Sequence, residues 1–194
     1  MSKKTSIQIY RDGQSKNLSF DGGIIHPSVK VGDYFKKGKN VIIDEDVIIG
    51  KNVFIGHSSV IRSGVVIGDN CVIGHLVVVE RETTIGEGTT IQSQCHVTAY
   101  ATVGRNCYFG PCVTLINEWK ISSHGRPLKQ TLLGPTIGDG CRIGARSLIM
   151  PGVVIGKNAM VGAGAIITKE IGENEVWFGK QAKRQGIVPV EERL

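Results

Sequence analysis

A large apolar residue recurs at every sixth position from Ile43 to Leu115: Ile43, Ile49, Ile55, Ile61, Ile67, Ile73, Val79, Ile85, Ile91, Val97, Val103, Phe109 and Leu115. Two positions earlier stands a second, mostly small residue: Val47, Val53, Ser59, Val65, Cys71, Val77, Thr83, Thr89, Cys95, Ala101, Cys107 and Val113. Glycine follows the large residue at Gly50, Gly56, Gly68, Gly74, Gly86, Gly104 and Gly110. A period of six matches neither a helix nor one long alternating strand. It matches a solenoid in which short strands, joined by turns, each add one flat face. Residues two apart on a strand point the same way, so both ladders point into one narrow axial core. The glycine after each large residue is expected to turn the chain, because glycine accepts positive φ at little cost. Three hexads then make a triangular coil, and neighbouring coils pair as parallel strands roughly 4.8 Å apart. Each buried Ile or Val contributes roughly 1.5–3 kcal/mol.

The same pattern divides the chain. Residues 1–24 precede the repeat, and SIQIYR and LSF around Asp12-Gly13 predict two short strands that cap the open end. Residues 25–170 carry the repeat. Lys37 holds the frame but not the apolar pattern, which predicts an irregular corner there. After Leu115 the next apolar-glycine pair is Ile137-Gly138, twenty-two positions on instead of six, so sixteen residues are inserted in the loop 116–136. A long loop breaking a tight repeat points to function. The repeat resumes for two coils to Ile167, and residues 171–194 form a tail in which Trp177 and Phe178 are placed to cover the other open end.

Composition adds limits. Aromatic residues make up 6% of the chain, as a thin core of Ile and Val requires. The net charge of +6 is spread through turns with no basic run interleaved with aromatics, which argues against nucleic acid and fits an anionic small ligand. Cys71, Cys95, Cys107 and Cys141 fall on the small inward position and read as buried reduced thiols acting as small hydrophobes. The beginning of the sequence lacks an apolar leader and no stretch is long enough to span a membrane, so a cytoplasmic location is expected.

With the hexads, the inserted loop and the run VGAGAIITKEI in view, the chain resembles the hexapeptide-repeat acyltransferases. The resemblance implies an all-β, left-handed parallel β-helix acting as a homotrimer on acetyl-CoA. It is most similar to N-acetyltransferases of nucleotide-linked amino sugars, through IGHSSVIRSGVVIGDN, IQSQ at Ile91–Gln94, FGPCVTLIN at Phe109–Asn117, and Ser123-His124 in the loop. IGARSLIMPGVVIG and VGAGAIITK follow in the expected order. The implied reaction is acetyl transfer from acetyl-CoA to a UDP- or dTDP-linked amino sugar. Acetylation of a sugar hydroxyl, or a scaffold without catalysis, stand as alternatives.

Acyl transfer from a thioester needs a base, donors for the developing oxyanion, and alignment of two substrates. His124 is the first candidate base because it lies in the inserted loop and matches the family position. His96 follows the inward Cys95, so it points outward beside IQSQ and is placed to line the acceptor site. His57 and His75 stand one above the other and read as structural or subunit-contact residues, and His26 reads as structural. Asn117, Gln92 and Gln94 offer amides to orient a sugar or an oxyanion, and Trp119 and Arg126 are candidate acceptor contacts in the loop. For the coenzyme, the resemblance implies a groove between subunits along the last coils. Gly144, Ala145, Gly162 and Ala163 would leave room for the pantetheine arm there, and Thr168, Lys169, Lys183 and Arg184 would meet phosphates. Arg62 and Glu80 share a column and predict a surface ion pair. No pair of histidines is spaced five apart, so no metal is expected.

Overall fold

Each hexad delivers one two-residue strand, and successive strands go to three different sheets in rotation. The computed structural model describes residues 6–11, 14–19, 22–120, 131–179, 183–187 and 190–193. Face A is an eight-stranded sheet running from Ile24–Ile25 through His96–Val97 and Thr114–Leu115 to Ile166–Ile167. Face B has seven strands, from Lys30–Val31 to Val154–Ile155. Face C has nine, beginning at Lys36–Lys37. Within the solenoid every pair is parallel, at an eighteen-residue step as in Val66↔Thr84 and Ile67↔Ile85, except that pairs spanning the inserted loop, such as Thr114↔Leu148, are wider and the last, Met160↔Val176, is narrower. The molecule is an all-β parallel solenoid, as the period predicts.

None of the thirteen ladder residues exposes more than 2% of its surface. The second residue of each strand points inward and the first outward, so the core is a stack of Ile and Val between three thin walls. The small inward positions are not simply hydrophobic. Ser59 donates to the Gly74 carbonyl at 2.8 Å, Cys71 to Gly86 at 3.1 Å, Thr89 to Gly104 at 2.9 Å and Cys95 to Gly110 at 3.1 Å. Cys107 and Cys141 repeat the contact on Gly138 and Gly156. A second acceptor lone pair of a buried turn carbonyl is thereby used by the coil before it, which explains why Ser, Thr and Cys are interchangeable here.

The corners assign glycine a different job from the expected one. At Gly56, Gly68, Gly74, Gly86 and Gly104 the backbone does not have positive φ. A Cβ on Gly86 would lie 2.6 Å from the Arg105 nitrogen, and one on Gly144 would lie 2.4 Å from the Ala163 nitrogen. These glycines let the next coil sit directly on the backbone. The left-handed residue stands two positions later in each turn. At the corner between faces B and C it is Asn or Gly in every coil but one: Asn52, Asn70, Gly88, Asn106, Gly140, Asn158 and Asn174, with Tyr34 as the exception. At the corner between faces C and A it is Asn40, Ser58, Leu76, Gln94, Cys112, Arg146 and Gly164. Non-glycine side chains adopt this conformation at a cost of roughly 1–2 kcal/mol, Asn least.

The two ends differ. The segments Ser6–Arg11 and Gln14–Ser19 form the expected hairpin, but as a separate two-stranded sheet. Among the described residues no strand of the solenoid is its sheet neighbour, so its capping role is not seen. Lys37 produces no irregular corner: Lys36 and Lys37 pair with Phe54 and Ile55 in the standard register. Among the described residues the first coil pairs with one coil only, and Lys37 is half-buried there. Lysines on such an edge also discourage pairing with another chain. At the other end, Glu175–Phe178 pairs parallel with Met160–Val161, and Lys183–Ile187 folds back against it antiparallel. Trp177 packs on the core as expected, whereas Phe178 lies over Gly162 and stays exposed.

Leu76 is 54% exposed with φ of 57°, so it carries the left-handed cost with little burial in return. Replacing Leu76 by Asn is expected to raise unfolding stability by about 1 kcal/mol, read as a higher urea midpoint at unchanged slope. A lower midpoint would show that Leu76 makes stabilising contacts.

Candidate active site

The inserted loop leaves the coil at Asn117 and re-enters at Leu133, on the corner between faces A and B. The Leu133 amide donates to the Asn117 carbonyl at 2.9 Å, closing the loop at its root. The Gly152 amide donates to the Leu133 carbonyl at 2.8 Å, so Leu133 restores the ordinary stack. Asn117 also donates its side-chain amide to the Ala99 carbonyl at 3.2 Å. Its expected role at the reacting atoms therefore competes with a structural one at the loop root. Gly134 lies so tightly on the Tyr100 backbone that a Cβ there would collide with it. Trp119, just past the root, is exposed. His124 and Arg126 lie outside the described residues.

Next to this root, face A changes character. Its outward positions read Ile42, Val60 and Val78, then His96 and Thr114, then Leu148 and Ile166. His96 and Thr114 are Cα partners on adjacent coils. Two residues before each, on the corner between faces C and A, stand Gln94 and Cys112, whose Oε1 and Sγ are 3.2 Å apart. Gln92 is half-buried and occupies the column that holds glycine at Gly56, Gly74, Gly110 and Gly144. Thus Gln92, Gln94 and His96 come together on one coil, as expected. Cys112 and Thr114 were not foreseen. The signal available for them was only their eighteen-residue offset from Gln94 and His96.

Among the described residues nothing hydrogen-bonds the His96 ring. The other histidines on this side differ. The Lys39 amide donates to Nδ1 of His57, and the His57 amide donates to Nδ1 of His75, both at 2.8 Å. The two rings stack with centroids 5.1 Å apart. Each neutral ring must hold its proton on Nε2, so neither offers a free basic nitrogen to a substrate. Their structural assignment is supported.

Ala145 and Ala163 continue the same corner above Cys112, half-buried and exposed respectively. Gly144 and Gly162 have internal reasons for being glycine, since Ala163 and Phe178 sit where their side chains would be. Thr168 and Lys169 are exposed at the last turn between faces A and B. Arg184 is paired with Glu175 at 2.7 Å, so any phosphate would have to draw it from that carboxylate. Hydrogen bonds from Trp177 and Gly172, together with Arg184, hold the Glu175 carboxyl below the usual range. The side chain of Lys183 lies outside the described residues. Arg62 pairs with Asp44 at 3.1 Å, one coil below, and not with Glu80 above.

This architecture, a parallel β-solenoid with one inserted loop beside a polar seam, defines a class of hexapeptide-repeat proteins. The pattern of the family described as bacterial transferase hexapeptide (six repeats) matches residues 24–63, 46–81, 82–117 and 134–169, more than half of the chain. The chain belongs to that family. It is similar to the galactoside O-acetyltransferase of Escherichia coli, 38% identical over 86 residues covering 40% of this chain and 39% of that protein. It is also similar to dTDP-3-amino-3,6-dideoxy-alpha-D-galactopyranose 3-N-acetyltransferase of Aneurinibacillus thermoaerophilus, 40% identical over 52 residues covering 27% of each. The bifunctional protein GlmU of Methanococcus maripaludis matches at 34% over 86 residues, 40% of this chain and 21% of that protein. The chain thus spans well under half the length of these relatives. Among solved structures, a hexapeptide transferase family protein from Anaplasma phagocytophilum shares the fold with a TM-score of 0.51 at 24% identity, covering 84% of this chain and 81% of that one. An acetyltransferase from Vibrio cholerae, solved with acetyl coenzyme A, shares it with a TM-score of 0.51 at 20% identity over 70% of each chain.

Four of the five cysteines are buried and Cys112 is partly exposed. Burial pushes the Cys71 thiol up and that of Cys95 up to about 11. Cys141 is raised by its hydrogen bond with Cys107 and by burial. The hydrogen bond with Cys141 holds the Cys107 thiol below its usual value, but Cys107 is buried like the other three, so native protein at pH 8 is expected to consume one equivalent of N-ethylmaleimide, located at Cys112 by peptide mass. Labelling at two or more sites would contradict the burial of the other thiols.

Proposed function

We propose that the protein transfers an acetyl group from acetyl-CoA to the amine of a nucleotide-linked amino sugar, UDP- or dTDP-linked. The observation that carries this reading is the polar interruption of face A at His96 and Thr114, with the loop root on one edge and the Gln94–Cys112 corner on the other. Family membership supplies the reaction class. The nucleotide-sugar N-acetyltransferase among the matched relatives supports the acceptor, and the acetyl-CoA complex of the Vibrio cholerae protein supports the donor.

In this reading the pantetheine arm runs along the small residues Ala145 and Ala163 toward face A. The thioester then lies over face A, where the amine attacks its carbonyl. His124 accepts the amine proton, with His96 as the alternative base. Asn117 or Gln94 donates to the oxyanion, and coenzyme A leaves as the thiolate. Gln92, Trp119 and Arg126 contact the acceptor, and Thr168, Lys169 and Lys183 meet the coenzyme phosphates, with Arg184 available once it leaves Glu175. A homotrimer supplies the second wall of the seam. The reaction belongs in the cytoplasm, where free thiols persist. Acetylation of a sugar hydroxyl is the second reading, favoured by the longer match to galactoside O-acetyltransferase.

Free-thiol release from acetyl-CoA across a panel of UDP- and dTDP-linked amino sugars and plain sugars separates these. Release with amines alone is expected; release with plain sugars selects the hydroxyl reading, and none with any acceptor selects a scaffold. His124→Ala is expected to lower kcat about a hundredfold, and a loss under about threefold would move the base elsewhere. Sedimentation is expected to give a trimer; a monomer would remove the second wall.

A further inference from the structure

We propose that Gln94, His96, Cys112 and Thr114 seat the sugar ring of the acceptor, not its diphosphate, and that Cys112 sets which substituent the ring carries toward the corner. This rests on the transferase reading above. Below the four residues the same two columns hold Leu76 and Val78. On the far side the face A column continues with Leu148 and the corner column with Arg146. The polar stretch is thus two coils tall, a few ångströms across at the roughly 4.8 Å coil step. That is the scale of one pyranose ring and too small for a whole nucleotide.

Its chemistry points the same way. An amide, an imidazole, a thiol and a hydroxyl offer donors and acceptors without a fixed charge. Hydroxyls and a neutral amine are matched by such groups, whereas a diphosphate calls for cations or convergent backbone amides. The fixed charge next in the corner column is Arg146, one coil beyond Cys112 and exposed. A diphosphate is therefore drawn away from the four residues.

Cys112 is smaller than the residue on either side of it in the column. Its neighbours Gln94 and Arg146 are long, and its Sγ already meets the Gln94 Oε1 at 3.2 Å. A larger residue at 112 would fill the space beside Gln94 and push the ring off the corner. The backbone tolerates such a change, because Leu76 occupies the same left-handed position two coils below.

The test uses full-length protein and the acceptor that gives the fastest coenzyme A release in the screen above. Alkylation of Cys112 by N-ethylmaleimide is followed by intact mass. The complete acceptor is expected to slow it at least tenfold, and the same nucleotide without the sugar less than twofold. Equal protection by the bare nucleotide, or no protection by the acceptor, overturns the proposal. In parallel, Cys112→Leu is expected to raise the acceptor KM about tenfold or more with the acetyl-CoA KM within twofold. A rise in the acetyl-CoA KM instead places the coenzyme over Cys112 and overturns it equally. If no acceptor in the panel supports release, the transferase reading has failed first, which is a separate result from these.

Discussion

Coil-on-coil backbone contact is the constraint from which the rest of the molecule follows. Strands two residues long have no stability of their own, and each is held by the coil before and the coil after it. That requires the turns to stack as closely as the strands. The glycines after the ladder residues allow it, because each leaves its missing side chain's space to the backbone of the next coil. The inward Ser, Thr and Cys residues complete it by donating to the turn carbonyls that the stack buries. Substituting either class would open the wall at the corner before it disturbed the Ile ladder.

Because the fold uses only the inward positions, the outward ones are free to carry chemistry. Across most of face A they do not: Ile42, Val60, Val78, Leu148 and Ile166 form a plain apolar column. The break at His96 and Thr114 stands out against that uniformity, and it occurs at the level where the loop leaves the wall. The corner between faces B and C holds Asn or Gly in all coils but one, the choice made when only the turn matters. The corner between faces C and A holds Leu, Gln, Cys and Arg at the same costly position. The proposed site occupies that second corner and the face beside it.

Much of this was legible from the period alone. Six-residue spacing named the solenoid, the direction of each side chain and the place of the insertion, because a strict repeat leaves little freedom in three dimensions. It also put Gln94 beside His96 and stacked His57 on His75. Other features depended on contacts that spacing does not encode. The glycines were expected to supply positive φ, yet they supply proximity, a property of the next coil. Arg62 had two acidic neighbours in its column, and side-chain reach selected Asp44. Arg184 was expected to meet phosphates, while Glu175 nearby in the tail hairpin engages it. Cys112 differs from the other four cysteines only in occupying the turn and not the inward position, which matters once the site is known.

The central claim is that acceptor and donor meet over His96 and Thr114. A crystal structure of the protein with coenzyme A and an amino-sugar nucleotide tests it most directly. The account predicts the sugar amine over face A between Thr114 and the loop root, with the coenzyme thiol arriving along Ala145 and Ala163. Ligand density on the corner between faces B and C, or at the open first coil, would contradict it.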